Sequence, residues 1–242
     1  GNHVDLAIVI PVLNEAENIA PLLEEIDTAL GERSGYDIIV VDDGSSDATA
    51  AELDECRERY PQLQVLRHAT SRGQSAAIVS GVDVAGRCWI ATLDGDGQND
   101  PADIPRLYDI IRCAPASVGL VNGHRRRRHD SWLRRVSSRV ANSVRGFVLG
   151  DRTPDTGCGL KVFRRSMFMQ LPRFDHMHRF LPALVRMQGS EVVSVDVGHR
   201  KRRRGRSNYG VHNRLWTGLA DLFGVFWLQR RRLPPPGDKE SN

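Results

Sequence analysis

The feature that most constrains this chain is the alternation of short apolar runs with helix-period segments over residues 4–113. Residues 4–10 form an apolar run that ends at Pro11. Ala16–Leu30 then carries Ile19, Leu22, Leu23, Ile26 and Leu30 at the spacing of an amphipathic helix. Residues 36–41 read as a second strand, 47–59 as a helix, Leu63–Arg67 as a third strand and Gln74–Val84 as a third helix. A fourth strand covers 88–93 and a fourth helix about 102–113. This rhythm predicts an α/β fold, a mostly parallel sheet with helices on both faces. Ligands of such sheets sit beyond the carboxyl ends of the strands. Three polar clusters fall at those ends: Asn14 with Glu15, Asp42 with Asp43, and Asp94, Asp96 and Gln98.

The third cluster carries the most chemistry. In extended backbone, side chains two apart share a face, so Asp94, Asp96 and Gln98 can point the same way. Three hard oxygen donors suit Mg²⁺ or Mn²⁺, which leave positions open for substrate phosphates. The competing reading of Asp94-Gly95-Asp96-Gly97 is a solvated turn. In the second cluster, Ser46 or Asp47 is expected to cap the following helix, and Asp42 and Asp43 to contact a nucleoside diphosphate. A carboxylate such as Asp43 can accept from a base imide or a ribose hydroxyl. No Gly-x-Gly-x-x-Gly follows the first strand and no Gly-x-x-x-x-Gly-Lys-Ser/Thr occurs, which disfavours dinucleotide enzymes and P-loop ATPases.

The second half of the chain has a different character. A strand is expected over 117–122, followed by the run Arg125-Arg126-Arg127-Arg128. Trp132, Val136, Val140, Val144 and Val148 mark one stripe of a long helix, with Arg135 and Arg139 on a neighbouring stripe. A Gly-rich loop over 151–161 holds Asp155. A helix over about 180–187 and a strand at Glu191–Val197 lead into a basic segment opened by His199, Arg200 and Arg202. The last helix, about 211–228, has a broad apolar face and ends at Arg230-Arg231-Arg232; a disordered Pro-rich tail is expected over 233–242. That helix suits a membrane surface, the core or a partner.

Of 242 residues, 40% are hydrophobic and 26% charged, ordinary for a globular chain, and the net charge of +4 favours anionic partners. No apolar stretch reaches the ~20 residues of a spanning helix, and no leader peptide is recognised. The opening Gly1-Asn2-His3 resembles a tag remnant and stays outside the fold argument. The four cysteines show no metal or redox spacing and read as reduced thiols. A nucleic-acid partner is not expected. The basic cluster lacks an aromatic platform, and the acidic loops repel a polyanion.

Three motifs in order make a specific resemblance: Ile10-Pro11-Val12-Leu13-Asn14-Glu15, Val40-Val41-Asp42-Asp43-Gly44-Ser45-Ser46-Asp47, and Leu93-Asp94-Gly95-Asp96. With Arg72-Gly73, they resemble family 2 glycosyltransferases of the GT-A (Rossmann-like) fold over residues from about 5 to 210. Gln98, and the segment from His199 to Tyr209, are similar to dolichol-phosphate mannose synthases and bacterial polyprenyl-phosphate sugar synthases. Asn208 departs from that pattern, where many relatives carry lysine. The resemblance implies a transferase domain over 4–210, with a mixed, mostly parallel sheet, and a C-terminal amphipathic helix over 211–232. It implies a metal held by Asp94, Asp96 and Gln98, and a GDP- or UDP-linked sugar bordered by Pro11, Asn14, Glu15, Asp42, Asp43, Arg72 and Gly73. It further implies inverting transfer of a hexose or hexuronate to a polyprenyl phosphate, by a cytoplasmic enzyme peripherally associated with a membrane.

An ionised phosphate acceptor needs no general base, only cations to orient it. Arg125, Arg139, Arg200 and Arg202 are the candidates, because guanidinium forks match phosphate oxygens. A solvated charge run is the plainer reading of Arg125–Arg128. Were the acceptor a hydroxyl, Asp155 would be the base; it would otherwise cap its loop, or pair with Lys161 or an arginine.

Overall fold

The computed structural model describes residues 3–125, 153–201 and 214–231. The first stretch contains β1 (His3–Val12), α1 (Ala16–Leu30), β2 (Ser34–Asp42), α2 (Thr49–Arg59), β3 (Leu63–Arg67), α3 (Gln74–Val84) and β4 (Trp89–Thr92). It closes with a 3-10 turn (Pro101–Asp103), α4 (Ile104–Cys113) and β5 (Val118–Arg125). Then come β6 (Lys161–Arg164), the short α5 (Arg165–Phe168), α6 (Met177–Met187), β7 (Glu191–Val197) and α7 (Arg214–Arg231). The helix expected over 132–148 with Arg139, the segment holding Arg202, and the tail lie outside the described residues.

The strands form one sheet in the order β3-β2-β1-β4-β6-β5-β7. Strands β3, β2, β1 and β4 are mutually parallel, β6 runs antiparallel to β4 and β5, and β7 is parallel to β5. Period-two alternation divides β1 between two cores. Leu6, Ile8, Ile10 and Val12 pack with α1, α2 and α4 on one face, through Ile19, Leu23, Leu53 and Leu107. Ala7 and Val9 pack with α3 and α6 on the other, through Ala77, Val82, Leu181 and Leu184. A sheet covered on both faces explains why its central strands read as continuous apolar runs.

Several expected boundaries move. β1 continues through Pro11, which lies in register with Val41. Helix α2 begins at Thr49 rather than Asp47, because the Asp47 carboxylate accepts from the Thr49 amide at 2.9 Å and stays outside the helix. Neither β6 nor α5 was expected. Helix α7 buries Leu222 and Val225 in the second core, and Asp221 meets His176 Nδ1 at 2.9 Å. Its other side leaves Phe223 67% and Trp227 60% exposed, so the helix is both a core element and an apolar surface.

The first two strand-end loops are tied to each other. Asn14 adopts a left-handed φ of 56°, a conformation asparagine tolerates well. Its Oδ1 accepts from the Ser46 amide at 2.8 Å, and its own amide donates to Ser45 Oγ at 2.9 Å. The Asp42 carboxylate turns inward and accepts from the Ser45 amide at 2.9 Å. Glu15 accepts from Asn18 Nδ2 at 2.6 Å, closing the first turn of α1.

Asp43 is the larger hub. Its Oδ1 meets His68 Nδ1 at 2.6 Å and the Arg72 amide at 2.9 Å; its Oδ2 accepts from Ser71 Oγ and the Gly73 amide, each at 2.8 Å. Four donors occupy the four lone-pair positions of a carboxylate. Asp43 therefore fastens the loop before α3 rather than presenting an open acceptor to a nucleotide base. Arg72 and Gly73, expected beside the nucleotide, lend it their backbone amides. Gly73 supplies a φ of 91° that side-chain-bearing residues rarely adopt. Burial alone would raise the Asp43 carboxyl, but the Arg72 amide, the His68 ring, the Ser71 hydroxyl and the Gly73 amide outweigh it and hold it below the usual range.

A carboxyl whose folded pKa lies below its unfolded value of ~3.9 stabilises above that pH, and the gain fades as pH falls through the folded value. Asp43→Asn should therefore cost about 3 kcal/mol at pH 7. In urea unfolding, the gap between wild type and variant should hold down to about pH 5 and narrow below about pH 4. A gap that widens in acid would contradict this role.

Candidate active site

The carboxyl ends of β2, β1, β4, β5 and β7 share one edge of the sheet, and antiparallel β6 begins at that edge, with Thr92 of β4 opposite Lys161. The edge opens into a cavity of about 340 Å³. Pro11, Leu93 and Asp94 line one side, the turn 155–159 with Lys161 another, and Phe168, Met177, His178 and Leu181 the floor.

Asp94 borders the cavity and is half-buried. Gln74 Nε2 donates to its Oδ1 at 2.9 Å. Gly159 faces it so closely that a Cβ there would sit 2.2 Å from Asp94 Oδ2, so only glycine lets the 155–159 turn approach. The turn is pinned by Thr92 Oγ1, which donates to the Gly159 carbonyl at 2.7 Å. Burial, and then the nearby Asp96 charge, push the Asp94 carboxyl up to about 6. Two carboxylates that repel each other at a buried strand end suit a divalent cation with oxygen preference. Among the described residues, no group of three His, Cys, Asp or Glu gathers there. Asp94 and Asp96 supply two carboxylate donors, and substrate and water would have to complete the shell of a Mg²⁺ or Mn²⁺ ion. Gln98 gives its amide to Asp96 Oδ1 at 3.0 Å, and its side chain reaches the Arg200 carbonyl at 3.5 Å.

Arg125 and Asp155 are brought together, but onto each other. The guanidinium donates through Nε to Oδ2 at 2.7 Å and through a terminal nitrogen to Oδ1 at 2.9 Å; the Arg125 amide adds a 3.2 Å bond. Burial would lower the Arg125 pKa, and Asp155 more than reverses this. Arg125 is therefore not the unengaged phosphate cation expected from sequence, nor Asp155 an unengaged base. The pair locks the cavity wall.

Arg200 needs the same correction. Its guanidinium meets Glu25 at 2.6 Å and Asp100 at 2.7 Å, and its amide donates to the Gln98 carbonyl at 2.8 Å. Asn99 and His199 form a bridge beside it. The start of the basic segment is thus tied to the 94–98 turn by its backbone and to α1 and Asp100 by the Arg200 guanidinium. Arg139 and Arg202 lie outside the described residues.

Four cavity residues have places that the sequence did not assign: Gln74, Ser75, His178 and Lys161. Gln74 and Ser75 open α3, and Ser75 Oγ meets His178 Nδ1 at 2.7 Å while accepting the His178 amide at 3.3 Å. Burial, then the neighbouring Arg179 and Lys161 charges, hold the His178 imidazole well below its ordinary pKa, so the ring is neutral near pH 7. Ser75 Oγ and His178 Nδ1 share that hydrogen bond, its direction set by the ring tautomer. The fourth is Lys161, buried, whose Nζ donates to the Cys158 carbonyl. Burial lowers its pKa against the pull of Cys158, Asp94 and Asp155.

Comparison with known proteins agrees with this arrangement. A family model described as glycosyl transferase family 2 matches residues 7–171. The chain is 34% identical over 237 residues to a dodecaprenyl-phosphate galacturonate synthase of Rhizobium johnstonii, covering 96% of this chain and 69% of that protein. It is 34% identical over 211 residues to an undecaprenyl-phosphate 4-deoxy-4-formamido-L-arabinose transferase of Edwardsiella ictaluri, covering 85% of this chain and 63% of that one. The chain thus spans less than two thirds of the second relative.

Among solved structures, mannosyl-3-phosphoglycerate synthase from Rubrobacter xylanophilus superposes with a TM-score of 0.70 at 19% identity, over 96% of this chain and 76% of that one. A mannosyltransferase from Pyrobaculum calidifontis in complex with GDP-Man and Mn²⁺ gives 0.67 at 18%, over 96% and 66%. These likenesses establish the GT-A arrangement. With the strand-end carboxylates in place and the family model spanning both the parallel half and β6, the chain belongs to glycosyl transferase family 2.

Proposed function

We propose that this enzyme moves a hexose or hexuronate from a GDP- or UDP-linked sugar to a polyprenyl phosphate, with inversion at the anomeric carbon. The carrying observation is the Asp94–Asp96 pair just beyond β4, with Asp94 lining a cavity of sugar size. The first two relatives act, by name, on dodecaprenyl and undecaprenyl phosphate, which supports the acceptor class.

In this reading, Asp94 and Asp96, with Gln98, hold Mg²⁺ or Mn²⁺. Bound there, the cation supplies Lewis-acid neutralisation of the leaving diphosphate. Pro11 borders the nucleotide, and Asn14, Glu15, Asp42 and Asp43 shape the loops around it. An acceptor phosphate oxygen attacks the anomeric carbon in line. The bond from that carbon to the donor's β-phosphate oxygen breaks, and the nucleoside diphosphate leaves with the electron pair. The acceptor oxygen is already ionised, so no proton needs to move. Arg139 and Arg202 keep their proposed role of orienting that phosphate. The hydroxyl-acceptor alternative needs Asp155 as an available base, and its bidentate clasp with Arg125 speaks against that use.

Among the described residues, no helix is long and apolar enough to cross a membrane. The exposed Phe223 and Trp227, followed by Arg230 and Arg231, support docking of α7 on an anionic membrane surface, where a polyprenyl phosphate resides.

Two outcomes follow. Asp96→Ala should lower Mn²⁺-dependent transfer from labelled nucleotide sugar to polyprenyl phosphate by about 10³-fold, with an unchanged melting transition. Wild-type turnover in that variant would remove the metal assignment. Phe223→Ser with Trp227→Ser should weaken co-sedimentation with anionic vesicles about tenfold while transfer to a short, soluble polyprenyl phosphate persists. Unaltered vesicle binding would count against the membrane face.

A further inference from the structure

Lys161 has a place in the cavity that the reaction as written does not use. It sits mid-sheet, with Thr92 of β4 on one side and Asn122 of β5 on the other. Its side chain is buried and borders the cavity. An ammonium has three donors. One goes to the Cys158 carbonyl, and no other acceptor for it is recorded among the described residues. A buried cation normally has a paired anion.

The nearby anions are committed elsewhere. Asp155 is held in two-pronged fashion by Arg125. Asp94 takes a hydrogen bond from Gln74 and shares its environment with Asp96, where the divalent cation of the proposed reaction belongs. Neither carboxylate is in direct contact with the ammonium, so Lys161 faces a sugar-sized space with the Cys158 carbonyl as its one hydrogen-bond partner among the described residues. Phe168, Met177 and Leu181 give that space an apolar floor, suited to the C–H face of a pyranose.

We propose that Lys161 selects the donor: its ammonium pairs with the carboxylate of a nucleoside diphosphate hexuronate. Neutral hexoses would leave that cation without a counter-charge. The claim rests on the donor chemistry of the proposed function and narrows it from any hexose or hexuronate to the acidic sugar. The donor's diphosphate is the other anion at hand. It is common to both sugar classes, so it cannot produce discrimination between them.

The test compares UDP- and GDP-linked hexuronates with the matching neutral hexoses, using Mn²⁺ and the full chain. In wild type, kcat/KM for the hexuronate should exceed that for the hexose by about 100-fold. Lys161→Gln should lower the hexuronate value by about 100-fold, mainly through KM, and bring the ratio near one, while Lys161→Arg should restore the preference. Equal loss with both donors would assign Lys161 to the diphosphate or to the fold and overturn the proposal. So would a wild-type enzyme that takes the neutral sugar equally well.

Titration calorimetry of wild type with each donor, without acceptor, decides the matter even if Lys161→Gln does not fold: equal affinities sink the proposal. That measurement also separates the two claims. Preferential binding of the hexuronate without transfer to polyprenyl phosphate supports the role of Lys161 and overturns the acceptor assignment. Ready transfer of a neutral hexose does the reverse.

Discussion

Everything at this site depends on one strand running against its neighbours. β6 enters between β4 and β5 in the antiparallel sense, so its first residue, Lys161, stands opposite Thr92 at the end of β4. A parallel strand there would begin at the far edge and carry Lys161 and the 155–159 turn away from Asp94. Running backwards, β6 delivers a Gly-rich turn onto the strand-end carboxylates. Thr92 holds that turn by the Gly159 carbonyl, and the missing side chain of Gly159 makes room for Asp94. The parallel half supplies the acidic loops, and the antiparallel insertion supplies the wall and the cation facing them.

The loops share one feature: their polar side chains are mostly spent on one another. Asn14 ties the first loop to the second, Asp43 ties the second to the start of α3, and Arg200 ties the β7 end to the Asp94–Gln98 turn through its backbone amide and to α1 and Asp100 through its guanidinium. Each is a charged or amide group that would be costly to bury without these partners. Residues that look like ligand contacts in the sequence therefore act one step back, fixing the backbone around the ligand space. This preorganisation suits a reaction in which positioning and electrostatics supply most of the catalysis.

How much of this was legible follows from the range of the forces involved. Helical periodicity placed Ala16–Leu30 and Gln74–Val84, and apolar runs bounded by turns placed Leu63–Arg67 and Glu191–Val197, each as the structure has them. Those signals are local. β6 has four residues, too few for alternation to show, and its apolar Leu160, Val162 and Phe163 are interrupted by Lys161. The Asp94–Asp96 pair was visible from its composition just past an apolar run, although β4 stops at Thr92 and the two carboxylates stand on a turn rather than on extended backbone. The Arg125–Asp155 clasp spans 30 positions and the Arg200–Glu25 pair 175; an arginine partner for Asp155 was one open alternative, but no pattern in the chain singles out Arg125 or announces the second pair. An arginine run reads the same whether it waits for phosphate or is already held by aspartate.

The charge arrangement explains why the site can be both buried and responsive to ligand. Arg125 and Asp155 neutralise each other at direct contact, so that pair costs little further on ligand binding. Asp94 and Lys161 are different. Burial disfavours the charge on each, raising the acid and lowering the base, and neither has a full counter-charge in direct contact. A divalent cation at Asp94 and an anionic group at Lys161 would relieve the two penalties separately. Binding energy would then be drawn from strain already present in the protein, at the two ends of the space a sugar nucleotide would fill. A site with both charges already paired would be more stable alone and would gain less from its substrates.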